Sequence, residues 1–445
     1  MVWSLGGSRP AAIVPIVVTS PHPDARVEEV VVGSNVAQHR EQALRLVKLR
    51  MDQAIAGGLI RLRVEDQAAD GRTITVDGRE MLNFGSCAYL GLNTDDRLKA
   101  GATAAVDRYG PVFSSSAAYT SVDLYTDLED RLQRIFGGRI LVPTTTTLGH
   151  LSVLPVLIGP DDLVLTDHQV HASVQLTTKV VKGLGSEVRD LPHNDMDILR
   201  AVLADTPAQR RVWYLADGVY SMFGDTAPVH DIAALLDEYP NLFVYYDDAH
   251  GVGWRGTHGI GHVLSEVAHH ERMIVIGSLA KSWGAGGAVL VLPNDIMAER
   301  VLLAGATFTF SGPLHPAELG AAVAAADIHL SDERDEREKV LLDRIDYVRD
   351  RLIEHQLPVL SLERTPLWFL RVGTPEKAIE LAKRMMRDGY YVNVSGFPVV
   401  PAGMDGIRFT TTAFHQRSDL EGFMDSLVEN LEGLVVPLEW YIDLR

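Results

Sequence analysis

One cysteine, Cys87, is all that the 445 residues contain. A single thiol closes no internal disulfide and builds no cysteine-based zinc cage. That favours a reducing cytoplasm. Positive charge is scarce too: 41 Lys and Arg stand against 59 Asp and Glu, a formal net charge of -18. Binding a phosphate backbone wants a basic face. Nucleic acid is therefore excluded as the main partner, although a local basic pocket is not. No stretch of about 18 apolar residues occurs, so no membrane span is expected. Ala11–Val18 is apolar but short and broken by Pro15, with only Arg9 before it. This argues against a signal peptide. Repeats and low-complexity blocks are absent as well.

The chain is long enough for a large core and two domains. Its 46% hydrophobic and 22% charged residues are those of an ordinary globular protein. Residues 1 to about 38 are rich in Pro, Gly and Ser without a clear period, and read as a loosely docked arm. Helical spacing over Glu41–Ala56 ends at Gly57-Gly58. Leu59–Val64 and Thr73–Val76 read as strands around the turn Asp70-Gly71, followed by helices over Asp95–Tyr109 and Tyr125–Phe136. Short apolar runs then alternate with helical stretches: Leu163–Thr166, Val212–Ala216, Leu242–Tyr246, Met273–Ile276 and Ala288–Leu292. That alternation predicts a mostly parallel α/β sheet with ligands at the carboxyl ends of its strands. Beyond about 315 come two helices, Pro316–Leu330 and Ser331–Ile353. Candidates for a strand, a helix and a strand follow at Leu367–Val372, Lys377–Asp388 and Ile407–Thr411. The expected division is 1–80 (arm, helix and small hairpin), 81–320 (large domain) and 321–445 (small α+β domain).

Two strand ends carry most of the chemistry. Leu242–Tyr246 delivers Asp247, Asp248 and His250; Met273–Ile276 delivers Lys281 among small residues. An acid, a histidine and a lysine at successive strand ends suit a pyridoxal phosphate (PLP) enzyme. In such enzymes the lysine forms a Schiff base, the acid pairs with the pyridinium nitrogen, and the histidine bonds the ring hydroxyl. Taken singly, Lys281 could be a solvated loop lysine and Asp247-Asp248 a solvated turn; together they point to the cofactor. His171 follows the strand Leu163–Thr166 and could stack on a pyridine ring, with His168 as its competitor. Thr144–His150 precedes a helix expected over Leu151–Ile158. Its hydroxyls and free amides make either a phosphate cradle or a plain N-cap and loop. Arg408 is one charge within a strand. Its partner is a substrate carboxylate or a structural acid.

These residues resemble the α-oxoamine synthases, a family of fold-type I PLP-dependent transferases. The likeness runs from about Asn83 to the carboxyl end, with its landmarks in the family's order. These are Asn83-Phe84 with Tyr89–Leu92, Asp167–Ser173, His193-Asn194-Asp195, Gly218–Asp225, Asp247–Gly251, Ser278–Gly284, and Val400–Gly403 leading to Arg408. The resemblance implies a large domain with a mostly parallel seven-stranded sheet plus a smaller C-terminal α+β domain. It implies PLP as cofactor and Lys281, His171, Asp247 and His250 as catalytic residues. Thr146, Thr147, Ser221, Ser278 and Ser311 join them around the cofactor, with Ser311 reaching the neighbouring subunit's phosphate in a homodimer. Arg408 would hold the amino-acid carboxylate.

The sequence departs from the family at three places. Cys87-Ala88 stands where an Asn usually helps hold the substrate carboxylate. Val112–Tyr119 replaces a glycine-rich stretch, and Thr146–His150 replaces a segment resembling Gly-Phe-x-x-Asn. The implied reaction is decarboxylative condensation of an α-amino acid with an acyl thioester, carried on coenzyme A or an acyl-carrier protein. Transamination on the same fold and a non-catalytic partner subunit are the alternatives.

Overall fold

The computed structural model describes residues 36–434. The arm expected over 1 to about 38 lies outside the described residues, except that 36–38 begin the helix Val36–Ala56. A first sheet holds β1 (Val64–Gln67), β2 (Thr73–Val76) and β3 (Arg79–Asn83). The strand expected over Leu59–Val64 is thus displaced. Gly58 and Arg61 both take left-handed φ, at 65° and 56°, which breaks an extended run before Val64. The strand that does form is exposed throughout and polar after Val64, so hydrophobicity does not mark it.

The central sheet contains β4 (Arg139–Leu141), β5 (Leu163–Asp167), β6 (Glu187–Leu191), β7 (Val212–Asp217), β8 (Leu242–Asp247), β9 (Met273–Ser278) and β10 (Ala288–Leu292). Its order is β4-β10-β9-β8-β7-β5-β6. Five neighbouring strands run parallel, and only β10 is antiparallel to both its neighbours. Side chains alternate between faces along a strand. Leu242, Val244 and Tyr246 of β8 therefore enter one apolar cluster, with Leu163, Leu165 and Tyr214. Tyr245 enters the other, with Val153, Leu154, Leu157, Trp213 and Ile276. Both faces are covered, as a parallel sheet requires. This is the mostly parallel seven-stranded fold that the family resemblance implied.

Beyond the long helices Pro316–His329 and Asp332–Glu354, a third sheet forms from β11 (Leu367–Gly373), β13 (Asn393–Ser395) and β14 (Asp405–Thr410). Between them β12 (Tyr390–Tyr391) pairs in parallel with β3, so the first sheet is completed from the C-terminal part of the chain. The third sheet is tied to the central one at Gly224. Its carbonyl accepts from the Thr365 hydroxyl at 2.6 Å, and a Cβ there would lie 2.2 Å from the Leu367 carbonyl oxygen. Among the described residues no helix is long and apolar enough to cross a membrane.

Candidate active site

The carboxyl ends of the parallel strands converge. Strands β5, β7, β8 and β9 close on Asp167, Asp217, Asp247 and Ser278, all buried polar residues in an otherwise apolar sheet. Lys281 lies three residues past β9. Its loop is fixed by Trp283, which is fully buried and stacks on His329 at 4.0 Å between ring centroids.

The neighbouring aspartates have opposite environments because a strand alternates. Asp247 falls on the face of Tyr245, towards the helix Thr146–Leu157. Its Oδ2 lies 3.1 Å from His150 Nε2, and Oδ1 accepts the Ala249 amide at 3.1 Å. Burial raises the Asp247 pKa, but His150, Lys281 and His171 outweigh it and hold it at about 2. Asp248 falls on the opposite face, in a cage of Gly218, Gly251 and Gly261. A Cβ at any of these would lie 2.2–2.4 Å from its carboxylate. Asp248 accepts the Val263 amide at 3.1 Å, yet burial and the nearby Asp247 push it up to about 8. Only Asp247 is thus a firm anion at neutral pH.

His250 is buried, and its Nδ1 lies 2.7 Å from the Tyr89 hydroxyl. Burial, then Lys281 and Arg408, hold its pKa well below the ordinary value, so it is neutral. His171 caps the helix Ala172–Gly183, and Nδ1 meets the Ser173 hydroxyl at 2.6 Å. Its amide donates to both Asp217 carboxylate oxygens at 3.1 Å. Its ring feels Asp247 and Lys281, which places it over the same cleft. Lys281 is half-buried; desolvation lowers its pKa against the pull of Asp247, Cys87 and Asp217, so its free amine is more available than on a surface lysine.

Thr146 and Thr147 occupy the first turn of Thr146–Leu157, which starts five residues before the helix expected over Leu151–Ile158. Thr145 supplies the cap, its hydroxyl accepting the Leu148 amide at 3.1 Å. A run of β-branched threonines does not advertise a helix, and the cap overrides that preference. The first amides of a helix have no partner within it, which suits such a start to an anion. Ser278 ends β9 and is buried, its Oγ accepting the Ala280 amide at 3.1 Å. Ser311 ends the short helix Ala306–Phe310, and the next carbonyl, of Gly312, accepts from Thr144 at 3.2 Å.

Arg408, on β14, is 9% exposed. Its Nε donates to the Ser221 carbonyl at 2.7 Å, and Nη2 lies 3.8 Å from the Cys87 sulfur. Among the described residues no carboxylate forms an ion pair with it, so the structural-acid alternative finds no partner. Ser221 meets Arg408 through its backbone. Cys87 sits between two cations: burial raises its pKa, but Arg408 and Lys281 draw it below the usual thiol value.

Sequence reasoning missed four groups. Asp217 pairs in register with Asp247, and burial together with that neighbouring charge raises its pKa well above the carboxylate range. His150 and Tyr89 hold Asp247 and His250. His193 bridges Asp167 and Asp225 at 2.9 and 2.6 Å. A polar residue ending an apolar strand was the available signal for Asp217. Nothing local marks His150 or Tyr89, whose partners lie far away in the sequence.

The residues fit PLP. A lysine with a lowered pKa, an ionised buried acid, a neutral buried histidine, a second imidazole and a helix start converge on one strand-end cleft. Comparison with known proteins agrees. The family Aminotransferase class I and II matches residues 79–427. A curated 8-amino-7-oxononanoate synthase from Geobacter sulfurreducens is 33% identical over 384 residues, 83% of this chain and 96% of the relative. That from Symbiobacterium thermophilum is 32% identical over 370 residues, 82% and 92% of the two chains. Among solved structures, a PLP-bound serine palmitoyltransferase variant from S. paucimobilis superposes with a TM-score of 0.81. It covers 88% of this chain and 98% of its own at 20% identity, a likeness of fold.

Fold and site together define a fold-type I PLP enzyme of aminotransferase class I and II. Within that class the chain belongs to the α-oxoamine synthase family, and it is a PLP-dependent acyltransferase of that type.

Proposed function

We propose that this enzyme condenses an α-amino acid with an acyl thioester, with loss of carbon dioxide and release of the thiol, to give an α-aminoketone. The observation that carries the reading is Arg408, a buried guanidinium without a carboxylate partner among the described residues, beside Lys281 and Cys87. An arginine fork matches a carboxylate with two parallel hydrogen bonds. The relatives are named for such chemistry: one set as 8-amino-7-oxononanoate synthases, the other as a serine palmitoyltransferase.

PLP, when bound, supplies an electron sink for negative charge at the amino acid's α-carbon. Lys281 would carry the cofactor and, once displaced by the substrate amine, take the α-proton. Its lowered pKa makes the free amine more available as a base than that of an ordinary lysine. Asp247, ionised, would keep the ring nitrogen protonated, because an opposite charge favours the charged form. His250, held by Tyr89, would donate towards the ring hydroxyl. His171 would cover the ring's face, and the amides of Thr146 and Thr147 with Ser278 would hold the phosphate. Ser221 would fix Arg408 through its carbonyl. Arg408 orients the carboxylate, and that placement replaces an entropic cost the free reactants would bear. The enzyme would work in the cytoplasm as a homodimer, Ser311 reaching the neighbouring subunit's phosphate.

The test is amino-acid-dependent release of free thiol. Acyl-coenzyme A or acyl-carrier protein is mixed with holoenzyme and single amino acids, and thiol is followed with a chromogenic disulfide. One amino acid should trigger release. Transfer of the amino group to a keto acid without thiol release would assign the enzyme to transamination.

A further inference from the structure

His150 lies on the helix Thr146–Leu157, whose apolar residues Val153, Leu154 and Leu157 share a cluster with Tyr245. Its side chain is fully buried. Tyr245 and Asp247 are two residues apart on β8 and so face the same way, towards this helix. One imidazole therefore spans both. Nδ1 meets the Tyr245 hydroxyl at 2.7 Å and Nε2 lies 3.1 Å from Asp247 Oδ2. The approach of Nε2 to Asp247 is a close charge contact, without the alignment of a hydrogen bond. Tyr245 is fully buried and, by burial and then the Asp247 charge, stays protonated; its hydroxyl can donate to Nδ1. The array runs in one direction, from Tyr245 through His150 to Asp247.

We infer that His150 is a positioning residue that holds Asp247 ionised and aimed at the ring nitrogen of PLP, with Tyr245 fixing its tautomer. This rests on the reading of Asp247 as the pyridinium partner. With the Ala249 amide on Oδ1 and the His150 imidazole 3.1 Å from Oδ2, Asp247 keeps lone pairs free for the cofactor. Two carboxylates side by side need such help. Asp217 is the register partner of Asp247 on β7, and a close pair of like charges resists double ionisation. His150 decides which of the two carries the charge. The groups facing Asp247 are then His150 from the helix, Asp217 from β7, His171 from the start of its helix and Lys281 from beyond β9. His150 ends the segment in which this chain departs from Gly-Phe-x-x-Asn. An asparagine there could offer Asp247 one hydrogen bond but no titratable relay and no second partner for Tyr245.

The experiment needs no substrate. Holoenzyme carrying His150→Phe, His150→Asn, Tyr245→Phe or Asp247→Asn is compared with wild type for PLP dissociation and for the pH midpoint of the cofactor's absorption, with thermal melts as the check on folding. The proposal expects His150→Phe to weaken PLP at least about tenfold, the loss of one close contact that stabilises the Asp247 charge. The absorption midpoint should move in the same direction as in Asp247→Asn. His150→Asn should recover part of the affinity, and Tyr245→Phe should give a smaller shift of the same sign. If Asp247→Asn is impaired while His150→Phe and Tyr245→Phe keep the wild-type affinity and midpoint, His150 is inert packing and the proposal is overturned. If Asp247→Asn itself changes neither quantity, the reading of Asp247 fails first and takes the proposal with it. Should His150→Phe not fold, His150→Asn and Tyr245→Phe decide alone, since an unchanged midpoint in both overturns it.

Discussion

Replacing Arg408 with methionine should separate binding from folding. The guanidinium is 9% exposed and has no carboxylate partner among the described residues. Its fixed bonds are to the Ser221 carbonyl at 2.7 Å and, weakly, to the Cys87 sulfur at 3.8 Å. Arg408→Met removes the first, at a cost of about 1–3 kcal/mol. It also removes an uncompensated buried charge, whose desolvation costs several kcal/mol. The two effects oppose each other, so stability should stay level or rise. Binding should behave differently. A substrate carboxylate deprived of a buried, hydrogen-bonded cation loses about 2–5 kcal/mol. At about 1.4 kcal/mol per tenfold, that is roughly 30-fold to a few thousand-fold. The assay is the amino-acid concentration needed for half of the change in cofactor absorbance, beside thermal melts of the same samples. Arg408→Lys keeps the charge without the fork and should fall between. A melt lowered by several degrees with an unaltered amino-acid requirement would refute the reasoning, because that is how a structural ion pair behaves.

Three further outcomes follow from the same geometry. Burial lowers the His193 pKa, but Asp167 and Asp225 outweigh it and raise it to about 9, against an ordinary 6.5. The resulting stability is fully present below pH 6.5 and is lost as pH rises through about 9; at about 1.4 kcal/mol per unit it is at most about 3 kcal/mol. Melts from pH 6 to 10 should show this decline in wild type and not in His193→Phe. Gly251→Ala would put a Cβ 2.2 Å from Asp248 Oδ1 and 2.7 Å from the His262 amide nitrogen. It should cost about 1–3 kcal/mol by denaturant titration. Tyr89→Phe leaves the buried His250 Nδ1 without its partner at 2.7 Å. A loss of about 1–3 kcal/mol and weaker PLP retention should appear in melts and in dialysis against buffer.

Much of this was legible in the sequence, for identifiable reasons. The buried strands of the central sheet announce themselves as apolar runs: Ala288–Leu292 falls where expected, and four others extend the expected run by one or two residues. Those extensions are the chemistry, since the polar residues ending them, Asp167, Asp217, Asp247 and Ser278, look like loop by hydrophobicity alone. Edge strands hide for the opposite reason. Glu187–Leu191 is largely exposed and charged, and Arg139–Leu141 is only three residues long, too short for an apolar run to mark it. Lys281, Asp247 and His250 were readable because strand ends gather in a parallel sheet. His150 and Asp217 were not, because their meaning lies in a register and a helix packing that join distant segments. Arg408 could be singled out as an odd charge in a strand, but only the fold shows that no acid among the described residues answers it.

The most direct measurement of the central claim counts two products together. Holoenzyme is given an amino acid labelled at its carboxyl carbon and an acyl thioester, and labelled carbon dioxide and free thiol are measured in one reaction. The account predicts equal amounts of both, each dependent on the other substrate and abolished in Lys281→Ala. Label retained in the amino acid or its keto acid, with the thioester intact, would contradict it.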